Sequence, residues 1–226
     1  MQNTTAVIER AVAAGSKTLS EHDSKTVLAA YGIPVTRESL AEDWAGVQTA
    51  AAEIGYPVVL KACGADIAHK TEANLIALDV PDEARLKESF ERLQQGTGDL
   101  DAAFLVQEMV QGKREFVAGM IRDPGFGPCV MFGLGGIFTE VLRDVSFRVA
   151  PLERRDALEM MDEIEASGIL GNFRGMEAVD RDAMADILVA LGVIGIEQEA
   201  VREIDVNPLI IAGSSPVAVD ALFVLE

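Results

Sequence analysis

The order of the predicted elements is the feature that most restricts the fold of this chain. Five short apolar stretches follow one another between residues 102 and 150, separated by turns that contain glycine or proline rather than by helices. Helical patterns lie before and after this β-rich middle, so helices and strands do not alternate regularly. A doubly wound parallel sheet requires such alternation. The sequence therefore predicts an α+β fold of two lobes, with a change of lobe near residue 105 and a cleft between the lobes.

The charge and the cysteines exclude several classes of protein. Acidic residues (37) outnumber lysines and arginines (19), which gives a formal net charge of -18 over 226 residues. Binding to nucleic acid requires clustered cations, so we expect no nucleic-acid partner. Cys63 and Cys129 form no disulfide framework, the N-terminus carries no secretory signal, and no apolar run reaches the roughly 18 residues of a membrane span. We therefore expect a cytoplasmic protein with no membrane partner.

Lys61 is the first of four features that could bind a ligand. It ends the apolar run PVVLK, where a charged residue is rare unless it has a partner. Its ammonium could bind phosphate oxygens in a cleft, although a strand-end lysine that extends into solvent is the simpler interpretation.

Two glutamates flank the second feature, the connection VQEMVQGKREF. Glu108 ends one predicted strand and Glu115 begins the next. The backbone between them could bind the edge of an adenine while a carboxylate binds ribose hydroxyls. Two solvated glutamates beside a turn are the simpler interpretation.

The third and fourth features lie near the C-terminus and in the middle of the chain. Asn207 is predicted to end a strand at an Asn–Pro pair, and Asp220 lies on another strand; both offer the oxygen ligands that Mg²⁺ binds. The run GLGG is predicted to be a loop whose N–H groups could approach an anion, with Arg143 and Arg148 adding charge. Ordinary strand ends and hairpin turns explain these features equally well.

His69 is one of two histidines in the chain and follows Lys61 by eight residues. Neutral imidazole is nucleophilic, and its ordinary pKa of about 6.5 keeps much of it neutral at cytoplasmic pH. The other histidine, His22, lies in the first turn of a predicted helix, and we interpret it as a solvated surface residue.

Several stretches of the chain, taken together, resemble one known family. They are similar to the beta subunit of ADP-forming acetyl-CoA synthetase, an ATP-grasp protein of the acyl-CoA synthetase (NDP-forming) superfamily. The stretches are LSEHDSKTVLAAYGIPVT, AAEIGYPVVLKA, IAHKTEA, FGPCVMFGLGGIFTEVLRDVSFRVAPL and REIDVNPLII. The resemblance covers residues 19 to 226. It implies an ATP-grasp fold, α+β, whose two α/β lobes hold the nucleotide between them. The first lobe would span residues 20–104 and the second 105–226, with an N-terminal extension, 1–19, packed on the second lobe.

The resemblance also implies an enzyme, an acid–thiol ligase. It would interconvert acyl-CoA, ADP and phosphate with a carboxylic acid, CoA and ATP, using ATP/ADP and Mg²⁺ as cofactors. A CoA-binding alpha subunit, joined in an α2β2 hetero-oligomer, would bind CoA and form the acyl phosphate. Two alternatives stay open. One is a stand-alone ATP-grasp carboxylate ligase, and the other is a non-catalytic nucleotide-sensing module of an acyltransferase complex.

The site residues of the family carry over to matching positions of this chain. In the motif HK[ST], His69 would relay a phosphoryl group from the partner subunit to ADP. The residues implied to bind the nucleotide are Lys61 for phosphate, Glu108, Met109 and Val110 at the hinge beside adenine, and Glu115 for ribose. The phosphate-loop candidates are Lys70, Gly133, Gly135, Gly136 and Arg148. Asn207 and Asp220 match the metal ligands of the related succinyl-CoA synthetase. The chain departs from the family at Asn74 and Leu75, where a glycine pair is usual.

Overall fold

A computed structural model describes residues 4–64, 75–98, 102–135 and 144–226. These residues form two compact units, which are described separately. The larger unit comprises the described residues among 1–19, 23–35 and 111–226, and the smaller unit comprises 20–22 and the described residues among 36–110. Among the described residues, no helix is both long enough and apolar enough to cross a membrane.

The smaller unit is an antiparallel sheet covered by two helices. In chain order its elements are β1 (Glu38–Ala41), α3 (Trp44–Ile54), β2 (Val58–Cys63), β3 (Ile76–Val80), α4 (Glu83–Thr97) and β4 (Ala103–Glu108). The strands lie in the order β1-β4-β2-β3, so β2 is a central strand and all six of its residues are buried. Asp43 and Asp82 cap the N-termini of the two helices, since each side chain accepts a hydrogen bond from a backbone N–H of the first turn.

The larger unit contains an antiparallel sheet of six strands. Its helices are α1 (Thr4–Ala13), most of α2 (Glu21–Ala30), α5 (Arg154–Glu163) and α6 (Arg181–Glu197), with a short 3₁₀ helix at Glu165–Leu170. Its strands are β5 (Glu115–Asp123), β6 (Gly127–Leu134), β7 (Val145–Val149), β8 (Val201–Ala212), β9 (Ser215–Ala218) and β10 (Ala221–Leu225). The main sheet has the order β10-β8-β5-β6-β7, and β9 pairs with β8.

The helices α5 and α6 cover one face of the larger sheet. The core between them contains buried side chains from both layers, among them Met120, Val130, Ile204, Met160 and Leu188. The opposite face of the sheet carries exposed apolar residues, including Phe147 (47% exposed) and Val149 (48%). Side chains on this sheet therefore divide into a helix-covered face and an open face, which decides where each candidate residue points.

Four of the five apolar stretches expected between residues 102 and 150 form the strands β4 to β7, the other lies outside the described residues, and the α+β fold is confirmed. Two local predictions are wrong. The run GLGG does not begin as a loop, because β6 continues through Gly133 to Leu134. The strand near the C-terminus does not stop at Asn207, because β8 runs without a break from Val201 to Ala212. The lobe boundaries also differ from the expected ones, since residues 23–35 belong to the larger unit and the change of unit falls at 110/111.

Candidate functional site

Lys61 lies in the middle of the smaller sheet rather than at a solvated strand end. It pairs with Ile76 on β3 and with Leu105 on β4, and the residue is 2% exposed. Its ammonium Nζ lies 2.6 Å from Oε1 of Glu21, whose side chain is 1% exposed. The simpler interpretation, a lysine that extends into solvent, is therefore wrong. The lysine forms a buried, charge-assisted ion pair.

Glu21 was not predicted as a site residue. It is the first residue of α2 and lies 40 positions before Lys61 in the chain, so no local pattern connects the two. Its neighbour His22 is also not the solvated residue that we expected. Nδ1 of His22 lies 2.9 Å from Oε1 of Glu38, a carboxylate that is 8% exposed.

Glu108 ends β4, and Arg37 binds its carboxylate. The two carboxylate oxygens accept hydrogen bonds from the backbone N–H (2.8 Å) and from Nε (2.7 Å) of Arg37. Met109 and Val110 follow the strand and are half-buried. Because both oxygens of Glu108 are engaged, an adenine at this hinge would be read by the backbone that follows the strand rather than by the carboxylate.

In the larger unit, the structure brings Asn207 and Asp220 together. The backbone N–H of Asn207 donates to the carbonyl of Asp220 at 3.2 Å. Two residues of β8, Asn207 and Pro208, lie opposite the single residue Val117 of β5, which is a β-bulge. The bulge accommodates the proline inside a paired strand, and it leaves Asn207 exposed between the buried Val206 and Leu209.

Asp205 joins this pair on the open face of the sheet. Its Cα is paired with Gly119, which is paired in turn with Met131 and then with the exposed Phe147. Burial, together with the charges of Glu203 and Asp220, raises the pKa of Asp205 from 3.8 to about 6. The sequence could have indicated Asp205, because Glu203, Asp205 and Asn207 are spaced by two residues and so project from one face of a strand.

A cation would relieve the repulsion between these carboxylates. Among the described residues no group of three or more His, Cys, Asp or Glu could hold a metal ion by itself. Asn207 and Asp220 instead offer a small set of oxygen ligands. Such a set suits Mg²⁺, which keeps several waters and binds substrate phosphates. Asn207 and Asp220 lie side by side, next to Asp205, and offer the oxygen ligands that Mg²⁺ binds, so these residues fit a divalent cation.

One buried cation lies close to this face. Lys25 of α2 is 1% exposed, and its Nζ donates to the carbonyl of Val219 at 3.3 Å, next to Asp220 in the chain. No local pattern could indicate this contact, because it joins residues 194 positions apart.

Glu115 begins β5 and is exposed, as the ribose-binding role requires. Its carbonyl accepts a hydrogen bond from the N–H of Gly135 at 2.9 Å. A Cβ at Gly135 would lie 2.8–2.9 Å from backbone atoms of Glu115 and Phe116, and a Cβ at Gly133 would lie 2.6 Å from the carbonyl oxygen of Asp144. Both glycines are thus explained by close backbone approach, whether or not a phosphate binds nearby.

The residue before Glu115 fixes the surrounding loops. The guanidinium of Arg114, which is 2% exposed, donates to four backbone carbonyls, those of Ile169, Gly171, Glu177 and Gly213, at 2.6–3.3 Å. Arg114 therefore ties the start of β5 to the 3₁₀ segment and to the β8–β9 turn.

Arg148 lies on the other face of the sheet from Asn207 and Asp205. It pairs with Val130, which pairs with Met120 and then with Ile204, all of which belong to the helix-covered core. Its guanidinium binds the carboxylate of Glu163 on α5 through two hydrogen bonds, of 2.9 and 2.5 Å. This interaction raises the pKa of Arg148 and lowers that of Glu163. Of the described phosphate-loop candidates, Gly133 shares the face of Met131, so Arg148 points away from it.

The remaining predicted residues, His69, Lys70 and Gly136, lie outside the described residues, as does Asn74. Leu75, the second residue of the departure from the family, is described and buried.

Comparison with known proteins places these observations in a family. Residues 10–225 match the model of the ATP-grasp domain. The chain is 42% identical, over 97% of its length and 96% of the relative, to acetate–CoA ligase [ADP-forming] I subunit beta of Pyrococcus furiosus. It is 40% identical to acetate–CoA ligase [ADP-forming] I of Archaeoglobus fulgidus, of which it covers 32%.

A solved structure agrees along the whole chain. It is that of the acetyl-coenzyme A synthetase 1 of Candidatus Korarchaeum cryptofilum in complex with coenzyme A and Mg-AMPPCP, with a phosphohistidine segment pointing towards the nucleotide binding site. The sequences are 39% identical, the TM-score is 0.89, and the match covers 99% of this chain and 100% of that one.

Proposed function

We propose a function for this chain from its family, since it belongs to the ATP-grasp domain family and, within it, to the beta subunits of ADP-forming acetate–CoA ligases. It is the nucleotide-binding subunit of an enzyme that interconverts acyl-CoA, ADP and phosphate with a carboxylic acid, CoA and ATP. The observation that carries the proposal is the placement of Asn207 and Asp220 side by side in the larger sheet, with Asp205 next to them, which offers oxygen ligands to the Mg²⁺ of a bound nucleotide.

The roles of the nucleotide-binding residues follow from their positions. Lys61 binds phosphate oxygens through an ammonium that is already held in place. The backbone of Glu108, Met109 and Val110 reads the adenine, and Glu115 binds ribose. Asn207 and Asp220 hold Mg²⁺, which neutralises charge on the phosphates when it is bound.

His69 carries the phosphoryl group between the two active sites. The family resemblance implies that the partner subunit carries the phosphoryl group on a histidine of its own. In the direction of ATP synthesis, a nitrogen of the neutral imidazole of His69 forms a bond to phosphorus as the bond from phosphorus to that donor breaks. An oxygen of the terminal phosphate of ADP then attacks phosphorus, the P–N bond breaks, and neutral imidazole is restored. Both steps depend on positioning and charge stabilisation rather than on proton transfer by this chain.

A second subunit completes the reaction. The Pyrococcus relative is a subunit, and the Archaeoglobus relative is a single chain of which this one matches about a third. We therefore propose a CoA-binding alpha subunit as the partner, in an α2β2 assembly. Both cysteines of the chain are free thiols, which supports the reducing cytoplasm as the location.

Labelling with γ-³²P-ATP and Mg²⁺ tests the proposal. We expect acid-labile, base-stable label on the purified chain, its removal by excess ADP, and its loss in His69→Ala. The control, His22→Ala, removes the other histidine and keeps the label. Calorimetry should show that His69→Ala still binds ADP and is therefore folded. Equal label in His69→Ala and the wild type would disprove the relay.

A further inference from the structure

The buried pair of Lys61 and Glu21 has a geometry that fixes the ammonium. Lys61 lies on the central strand β2, with β3 on one side and β4 on the other, so its side chain leaves the sheet in one direction only. Glu21 accepts its hydrogen bond at 2.6 Å, and the two side chains are 2% and 1% exposed. Because both side chains are almost completely buried, water cannot replace this contact in the folded protein.

Stability does not explain why the pair is present. Two buried charges lose their hydration, and their mutual attraction does little more than offset that loss, so an apolar pair of similar size would stabilise a core as well. The residues of β2 on the same face as Lys61, Val59 and Cys63, are buried and apolar, and so is its cross-strand partner Leu105. A buried ion pair in such surroundings suggests a use for one of its charges.

We propose that Glu21 is a positioning residue for the nucleotide: it holds the ammonium of Lys61 where the phosphates of ADP and ATP bind. This inference rests on the proposed function, in which Lys61 binds phosphate. A free lysine loses the freedom of four side-chain torsions when it binds an anion, whereas a lysine already held by Glu21 has lost that freedom before the ligand arrives. An ammonium carries three N–H donors, so the same group can bind a carboxylate and a phosphate.

The proposal predicts an effect that is confined to the phosphates. Lys61 would not touch the adenine or the ribose, because the hinge at Glu108 and the strand start at Glu115 serve those groups. A change at Glu21 that displaces the ammonium therefore lowers the affinity for ADP and leaves the affinity for adenosine unchanged. A role limited to holding the fold together would instead weaken both ligands alike.

The test compares ADP and adenosine binding to the purified full chain by calorimetry or by competition with a fluorescent nucleotide. For Glu21→Gln we expect a dissociation constant for ADP that rises about tenfold and one for adenosine that stays within twofold. Glu21→Asp shortens the side chain by one methylene and should give an intermediate loss of ADP affinity. Glu88→Gln, in the exposed pair with Arg85 on α4, is the matched control and should change neither constant.

A charge swap separates positioning from structure. The double variant Glu21→Lys, Lys61→Glu keeps both buried charges but moves the ammonium from β2 to α2. We expect its thermal midpoint to recover towards that of the wild type while ADP binding stays at least tenfold weaker. The inference is overturned if Glu21→Gln raises the dissociation constants of ADP and adenosine alike, or if it leaves that of ADP unchanged. It is also overturned if the double variant binds ADP as tightly as the wild type does. Failure of the wild-type chain to bind ADP would instead disprove the proposed function itself.

Discussion

The fully buried Lys61 of the smaller unit and the partly buried Asp205 of the larger unit have neighbours of opposite kinds. In the smaller unit, the ammonium of Lys61 has the carboxylate of Glu21 2.6 Å away. In the larger unit, the charged groups that act on the pKa of Asp205 are Glu203 and Asp220, both of the same sign as Asp205. The first charge is compensated within its own unit, whereas the second favours a cation from outside. The ammonium of Lys61 is therefore held in place without a metal, whereas the Mg²⁺ proposed above would supply the opposite charge at the second group.

Breaking the compensated pair should have the largest effect. Lys61→Met leaves Glu21 buried without this ammonium, and we expect the free energy of unfolding to fall by about 3 kcal/mol. Chemical denaturation of the purified chain measures the change. The double variant Glu21→Leu, Lys61→Met removes both charges and should recover most of the loss without recovering ADP affinity. A single variant as stable as the wild type would show that the pair is not compensated in the way described.

Removing the charge of Asp205 should change the free energy of unfolding in the opposite direction. Because the folded state raises the pKa of Asp205 from 3.8 to about 6, its contribution to stability is complete below pH 3.8 and is lost as the pH rises through 6. Asp205→Asn should therefore raise the free energy of unfolding at pH 7.5, by up to about 3 kcal/mol, and flatten the stability profile between pH 4 and 7.

This second prediction is checked by urea denaturation in EDTA across that pH range. Addition of Mg²⁺ should reduce the difference between the variant and the wild type, because a cation near Asp220 favours the ionised carboxylate of Asp205. A variant that is less stable than the wild type at pH 7.5 in EDTA would contradict the comparison.

The smallest effect is expected at Arg148, which belongs to neither buried group. Its guanidinium binds Glu163 on the helix-covered face, so Arg148→Met should leave the dissociation constant of ADP within twofold. Calorimetry measures this constant, and Lys61→Met, which is expected to lose phosphate binding, is measured in parallel for comparison. A loss of ADP affinity of tenfold or more in Arg148→Met would show that Arg148 does take part in phosphate binding.

Local patterns predicted those parts of the site that depend on one segment of chain. A charged residue at the end of an apolar run drew attention to Lys61, and the β-rich middle indicated the two-lobed α+β fold. The partner of Lys61 could not be predicted, because Glu21 is 40 residues away and only the folded sheet brings the two together. Neighbouring residues of a strand point to opposite faces, which separates Phe147 from Arg148, but a single sequence could not show which face the helices cover.

Glycine and proline were misleading for a related reason. At Gly133 the sequence suggested a tight loop, whereas the glycine is needed because β6 approaches the backbone at Asp144. At Pro208 it suggested the end of a strand, whereas a bulge opposite Val117 keeps the strand paired on both sides of the proline. Both residues have a local and a long-range use, and a single sequence cannot separate the two.

The buried guanidinium of Arg114 has a consequence for how the larger unit opens. Its four carbonyl acceptors lie between residues 169 and 177 and at residue 213, segments that are distant in the chain. None of these segments can separate from Arg114 without leaving a buried donor unsatisfied. They therefore open together, as one cooperative unit in amide hydrogen exchange, and that unit includes the start of the strand at Glu115. The ribose-binding role proposed for Glu115 would therefore couple nucleotide binding to the stability of these loops.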